Sequence, residues 1–298
     1  MPRGGSAPGH GPSLRTAHAW RTPGPSAGQA GRRPWGAPLS ASVFITSRDN
    51  ALLVRVRKLA QDGAAYRRGG QLWLEGDHLC TALRARGIPA AQAIATEAAW
   101  ADPALRALAG WAAQVAVVPP ALFKGLSTLQ SPAQLGFLID QPAAPRLNPL
   151  VASVVLDRVQ DPGNVGSILR SAAAFGVPQV LALKGTVALW SPQVLRAGMG
   201  AHFAVHLLEG LEPDALDGLQ VPLLATSSHA GTLLPTAALP QPCAWVLGHE
   251  GQGLGPALLR RCALQVRIPQ PGGEESLNVA AAAAVCLYES ARRGLGPQ

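Results

Sequence analysis

The second half of the chain repeats one pattern six times: a short, almost unbroken apolar run and then a polar or glycine-rich turn. The runs are 151–156 (VASVVL), 179–183 (QVLAL), 203–208 (FAVHLL), 221–226 (VPLLAT), 244–248 (AWVLG) and 264–268 (LQVRI). A strand with one wet face alternates apolar and polar residues, whereas a strand covered on both faces does not. Unalternating runs separated by helical stretches therefore predict an α/β domain with a mainly parallel sheet between helices. Parallel strands set their carboxyl ends along one edge, and open α/β sheets bind ligands beyond that edge. The turns that follow the runs are where chemistry is expected.

The rest of the chain divides around this domain, which spans 151–298. Residues 1–42 are rich in Gly, Pro, Ser, Ala and Arg without apolar periodicity, and read as a disordered or targeting extension. Residues 43–140 alternate helix and strand signals: helical spacing over 51–61, strand candidates at 71–75, 114–118 and 135–139, and a helix from Asp77 or His78 to Arg86. This is a second, small α/β module. Residues 141–150 (QPAAPRLNPL) carry three prolines and read as a linker.

Composition excludes several classes. The formal net charge of +8 suggests a polyanionic partner, but Arg3, Arg15, Arg21, Arg32 and Arg33 all precede residue 44, and no acidic residue occurs before Asp49. Subtracting those five leaves +3, so charge permits nucleic-acid binding without establishing it. Cys80, Cys243, Cys262 and Cys286 form no C-x-x-C pair, which favours buried thiols in a reduced compartment. His202 and His206 fall in or beside a predicted strand, roughly 13 Å apart at ~3.3 Å per residue, too far to share a metal. The run Val279 to Tyr288 is too short to span a bilayer, so neither a metal nor a membrane is expected.

Three polar clusters follow the apolar runs. The first, QDPGNVGSILR, ends at Arg170; Val165, Ile168, Leu169, Ala172 and Ala173 form one helical stripe, with Arg170 off it and Asn164 placed to cap the helix. The bland reading is a capped helix with one exposed arginine. The second, Leu247 to Gly255, lacks dinucleotide spacing, since the sixth position from Gly251 is Pro256, and no P-loop lysine follows. What survives is a flexible bend carrying Glu250, beside His249, which is read as lining. The third runs from Ile268 through Ser276, Leu277 and Asn278 into an alanine-rich helix, and Ser276 or Asn278 serves as its N-cap.

Together the clusters resemble the SpoU/TrmH branch of the SPOUT methyltransferases. The matching signatures are N164-V-G-S-I-L-R170, L247-G-H-E-G-Q-G253 and I268-P-Q…S276-L-N-V279, with Tyr288 and Glu289 closing the helix. The segment 43–140 is similar to the RNA substrate-binding module that precedes this domain in many members, through S47-R-D-N50, Arg67, Arg68 and L74-E-G76. The resemblance implies a trefoil knot in the C-terminal domain and a homodimer formed through it. It implies S-adenosyl-L-methionine (AdoMet) held by backbone around Thr226, Leu247, Gly248, Gly253, Ile268 and Leu277. It assigns methyl transfer to an RNA ribose 2′-hydroxyl to Arg170, with Asn164, Glu250, Ser276 and Asn278 holding arginine and nucleotide in place.

An arginine whose pKa exceeds ~12 is a poor base, so Arg170 is expected to orient phosphate and hydroxyl and to stabilise developing charge. Arg67 and Arg68, with Tyr66, are expected either to meet RNA by phosphate contact and stacking or to form a solvated basic turn. Ribosomal RNA is favoured over transfer RNA by analogy with members carrying such a module. The expected location is cytoplasmic, or organellar if residues 1–42 are a transit peptide. A non-catalytic RNA-binding or assembly protein on the same fold is the competing class, and the intact set Asn164, Arg170, Glu250, Ser276 and Asn278 argues against it.

Overall fold

The computed structural model describes residues 42–227, 230–272 and 276–294, all within one compact unit. The reading of residues 1–41 lies outside the described residues. The first half runs β1 (Val43–Phe44), α1 (Ala51–Gln61), α2 (Ala65–Gly69), β2 (Gln71–Glu75), α3 (Asp77–Ala85), β3 (Ala90–Thr96), α4 (Glu97–Ala101), α5 (Pro103–Ala109), β4 (Ala112–Val118), α6 (Pro120–Lys124) and β5 (Leu135–Asp140). These strands make a five-stranded sheet in the order β1-β4-β3-β5-β2, with β5 antiparallel to β2 and β3. The residues 141–150 form neither helix nor strand.

Sequence expectations at 51–61, 71–75, 77–86, 114–118 and 135–139 fall on α1, β2, α3, β4 and β5. The strand β3 is different, because four of its seven residues are alanine and intrinsic preference favours a helix there. It lies between β4 and β5, with Ala93 to Thr96 buried, where small side chains let α4, α5 and α6 pack against the sheet. Sheet context overrides propensity at this position.

The second half runs β6 (Ser153–Leu156), α7 (Pro162–Ala174), β7 (Gln179–Leu183), α8 (Pro192–Gly198), β8 (His206–Leu211), β9 (Leu223–Thr226), β10 (Thr232–Leu233), β11 (Ala244–Leu247), α9 (Pro256–Leu259), β12 (Leu264–Arg267) and α10 (Val279–Gly294). Its sheet has the order β10-β12-β9-β11-β6-β7-β8, and every pairing is parallel. Both faces are covered. Val154 and Leu156 of β6, with Trp245 and Leu247 of β11, pack in one cluster with Val165, Ile168 and Leu169 of α7 and Leu287 of α10. The intervening Val155, Ala244 and Val246 pack in another with Leu216 and Leu258. Each large aliphatic side chain buried this way contributes ~1.5–3 kcal/mol, which is why polar alternation is absent from the runs.

One strand expectation needs correcting. The run 203–208 does not begin as strand: Met199 (φ 48°) and Gly200 (φ 87°) turn the chain left-handed, Ala201–Phe203 make a 3-10 turn, and β8 starts only at His206. His202 is thus off the ladder that the sequence suggested. Its ring is buried against Trp190, its Nε2 meets the Leu189 carbonyl at 2.9 Å, and its Nδ1 has no partner among the described residues. Because the carbonyl accepts, Nε2 carries the proton of a neutral ring.

Burial holds the His202 pKa down at about 4, against an ordinary 6.5. A depressed folded value means the unfolded chain takes up a proton first as pH falls. Stability is therefore fully present above pH ~6.5 and declines by up to roughly 3 kcal/mol as the pH falls to ~4. Urea denaturation at stepped pH checks this, and His202→Asn should flatten that part of the profile.

The modules meet through paired polar groups as well as the shared core. Tyr66 is buried and its hydroxyl donates to Glu209 of β8 at 2.5 Å, while Arg67 lies 3.6 Å from the same carboxylate. Arg68 pairs with Asp62 at 2.5 Å. The stacking expected of Tyr66 is therefore corrected, because its ring is already packed at the module boundary. At the C-terminus, Arg293 donates to the carbonyls of Leu234, Pro235 and Ala237, tying the end of α10 to the segment after β10. Hydrogen bonds from Arg292, reinforced by Arg293, hold the Glu289 pKa down at about 2.

Candidate functional site

The parallel order sets the carboxyl ends of β12, β9, β11 and β6 side by side. Thr226 closes β9 opposite Val266, Leu247 closes β11 opposite Leu156, and Ile268 follows β12. From β6 the chain moves outward to β7 and β8, then returns to the other side of β6 with β9 and β11. Such a reversal opens a crevice between the strands where it occurs, here β6 and β11.

One carboxylate bridges that crevice. Glu250, just past β11, accepts from the backbone N–H of Asp161 (3.0 Å) and Gln160 (3.3 Å) and from Asn164 Nδ2 (3.1 Å), all on the turn after β6. Asn164 Oδ1 accepts in turn from Asn278 Nδ2 at 2.9 Å. Asn278 Oδ1 accepts from the N–H groups of Ala280 (2.9 Å) and Ala281 (3.2 Å), which makes Asn278 the cap of α10. The orientation of each amide follows from its neighbours. A carboxylate only accepts, so Asn164 turns its NH2 toward Glu250 and its oxygen toward Asn278; Asn278 then donates, and its oxygen is left for the helix. Three segments far apart in sequence are locked in one hydrogen-bonded chain.

Asn164 is not the cap of α7. Asp161 holds that place, its carboxylate accepting from the Asn164 N–H at 2.7 Å, with Pro162 in the first turn. The Asp-Pro pair was the available signal, since proline favours the first helical position. Freed from capping, the Asn164 side chain serves the chain just described. Desolvation raises the Glu250 pKa, but the bonds from Asp161, Asn164 and Gln160 outweigh it and hold it below its ordinary value. The group stays ionised at neutral pH and loses its partners only when the pH falls through that lowered value.

A second clamp joins the same two turns. Arg158 sits in the left-handed region (φ 58°), grips Asp157 with two bonds of 3.1 Å, and reaches Gln252 Oε1 at 3.2 Å and the Gly253 carbonyl at 3.4 Å. Nothing in the sequence pattern marked Arg158. The loop it holds is itself tight: Gly253 N–H donates to the His249 carbonyl at 2.8 Å, and His249 Nδ1 accepts from Gly251 (3.0 Å) and Gln252 (3.2 Å). A Cβ on Gly248 would lie 2.4 Å from the Gly253 carbonyl carbon, so only glycine fits there. His249 shapes its own loop.

The remaining predicted residues divide. Ser276 and Leu277 are exposed beside Asn278, and Leu277 leaves 41% of its surface open. Beyond Ile268, Gln270 has a buried side-chain oxygen without a partner among the described residues, a position that sequence reasoning did not single out. Arg170 lies six residues past Asn164, about 9 Å along α7 at ~1.5 Å per residue. It is exposed and makes no hydrogen bond or ion pair to the described residues, Asn164, Glu250, Ser276 and Asn278 included. Arg67 and Arg68 sit apart from this edge, paired with Glu209 and Asp62. The described residues contain no cluster of three or more His, Cys, Asp or Glu able to hold a metal, and no helix long and apolar enough to cross a membrane.

Comparison with known proteins gives this geometry its setting. Residues 152–288 match the model of the SpoU rRNA methylase family. An uncharacterised tRNA/rRNA methyltransferase of Synechocystis is 36% identical over 86% of this chain and 96% of its own length. A 23S rRNA guanosine 2′-O-methyltransferase of Bacillus subtilis is 32% identical over 56% of this chain and 68% of its own length. The crystal structure of an AdoMet-bound rRNA methyltransferase from Sinorhizobium meliloti superposes with a TM-score of 0.75 at 26% identity, covering 86% of this chain and 99% of that one. With that family match and a relative 36% identical over nearly its full length, the chain belongs to the SpoU rRNA methylase family.

Proposed function

We propose that the protein transfers a methyl group from AdoMet to a ribose 2′-hydroxyl of RNA, with ribosomal RNA as its substrate class. The observation that carries this is the Glu250–Asn164–Asn278 chain, which fixes three loops around the crevice at the strand carboxyl ends. The strand ends suit AdoMet. Thr226, Gly248, Gly253, Ile268 and Leu277 offer loop backbone and apolar surface, and the unpartnered Gln270 oxygen can accept from an amino group. The sequence carries neither a P-loop lysine nor dinucleotide glycine spacing, and a methyl donor needs no triphosphate cradle. AdoMet supplies the methyl group as an activated sulfonium substituent.

Acceleration then rests on placing and charging the ribose oxygen. As the new C–O bond forms, the C–S electron pair passes to sulfur and the hydroxyl gives up its proton. Arg170, permanently charged, holds a neighbouring phosphate so that a phosphate oxygen or water takes that proton, and it stabilises charge on the 2′-oxygen. Glu250 already accepts three hydrogen bonds and acts by position. Residues 43–140 serve as the RNA-binding module and 151–298 as the methyltransferase domain, with the last segment threaded as a knot.

The molecule works as a homodimer through the second domain. Ala281, Val285 and Tyr288 line the outer face of α10 at helical spacing, with Val285 40% and Tyr288 54% exposed and Phe175 edge-on to Tyr288. That apolar stripe begins one turn from Asn278, next to the site. The reading carries a cytoplasmic location.

Labelled AdoMet incubated with ribosomal RNA from cells lacking the gene tests the proposal. Incorporation is expected, and AdoMet binding without incorporation into any RNA would favour an assembly protein. Gly248→Ala is expected to force the 248–254 loop open and lower turnover about 10²-fold, with the melting transition nearly unchanged.

A further inference from the structure

Between the two modules lies an open cleft of about 370 Å³, lined by Ala82, Ala85 and Arg86 of the α3 segment, Arg170 of α7, and the turn from Gly198 to Ala201. No acidic residue lines it, and neither arginine forms an ion pair with the described residues. Two arginines without ion-pair partners among the described residues line one small space, a setting that favours an anion.

The rest of the cleft is built of small residues held close. A Cβ on Gly200 would lie 2.5 Å from the Ala82 Cβ, and one on Gly198 would lie 2.4 Å from the His202 ring. The floor therefore cannot be filled by larger side chains. Met199 stands on the wall, 48% exposed and in the left-handed region (φ 48°), a conformation that costs ~1 kcal/mol or more for a residue other than glycine. The strained turn presents an apolar side chain to the opening. A space of this size matches one nucleotide.

We propose that this cleft seats one nucleotide of a single-stranded RNA segment, its phosphate bridged between Arg86 and Arg170 and its base against Met199. Arg86 is then a substrate-positioning residue contributed by the first module, and the cleft sets the register at which the strand enters the methyl-transfer site. This rests on the RNA methyltransferase reading and adds the element that aligns the substrate.

Arg86→Gln in the full chain tests it, with Arg84→Gln, in the last turn of the adjoining helix α3, as the control. Binding to transcribed large-subunit ribosomal RNA is measured against salt concentration, and methyl transfer against RNA concentration. Arg86→Gln is expected to reduce the salt slope by about one phosphate contact and to raise the RNA KM roughly tenfold. The AdoMet KM should be unchanged, and Arg86→Lys should restore the salt slope because the charge returns. An Arg86→Gln enzyme with wild-type slope and RNA KM overturns the cleft proposal alone. A wild-type protein that transfers no methyl to RNA, with the slope still lowered by Arg86→Gln, overturns the methyltransferase reading and keeps the cleft.

Discussion

Arg170→Ala lowers the rate of methyl transfer about 10³-fold and leaves AdoMet affinity within about twofold. The expectation follows from where the side chain stands. Arg170 makes no hydrogen bond or ion pair with the described residues of the strand-end loops assigned to AdoMet, and Val165, Ile168, Leu169 and Ala172 on the same helix provide the buried stripe that packs α7. Removing an exposed guanidinium thus costs little stability and removes a fixed positive charge proposed to hold phosphate beside the reacting hydroxyl. Single-turnover transfer and calorimetric AdoMet binding separate the two effects. Equal loss of transfer and AdoMet affinity would place Arg170 in the AdoMet pocket.

Glu250→Ala is expected to lower turnover about 10²-fold by a different route. The Asp161 and Gln160 N–H groups and Asn164 Nδ2 all lose their acceptor, and Asn164 is released to rotate away from Asn278. Water reaches this surface, so the stability cost is modest, ~1–2 kcal/mol. The loss should appear in the KM for AdoMet as well as in kcat, because the loop from Gly248 to Gly253 moves with the carboxylate. Asn278→Ala should resemble it, with the added loss of the α10 cap, ~1 kcal/mol. Combining the two substitutions should cost less than the product of their separate effects, since both break one chain.

Much of the second domain was legible because burial on both faces leaves a direct trace in sequence. The runs at 179–183, 244–248 and 264–268 fall almost residue for residue on β7, β11 and β12. The legibility failed where tertiary context decides. The alanines of β3 carry a helical preference that only the neighbouring strands override, and the turn at Met199 and Gly200 displaced the start of β8. The two-residue strands β1 and β10 are too short to leave a pattern.

At the site, residue identity was readable and partnership was not. Asn164, Glu250 and Asn278 stood out by type and setting, but their hydrogen-bonded chain depends on strand order, which brings turns about 90 and 114 residues apart together. Tyr66 shows the converse. An aromatic beside two arginines suggests an RNA-stacking surface, yet the hydroxyl is taken by Glu209 and the ring is buried at the module boundary. Arg158 escaped because its work depends on a left-handed backbone that no spacing rule announces.

The most direct test of the central claim is chemical identification of the methylated product. Ribosomal RNA labelled by the protein from methyl-labelled AdoMet is hydrolysed in alkali, which cleaves RNA only where a free 2′-hydroxyl can attack the adjoining phosphate. Methylation of that oxygen leaves the label in an alkali-resistant dinucleotide, and this is the result predicted. Label recovered in mononucleotides would place the methyl group on a base and contradict 2′-O transfer.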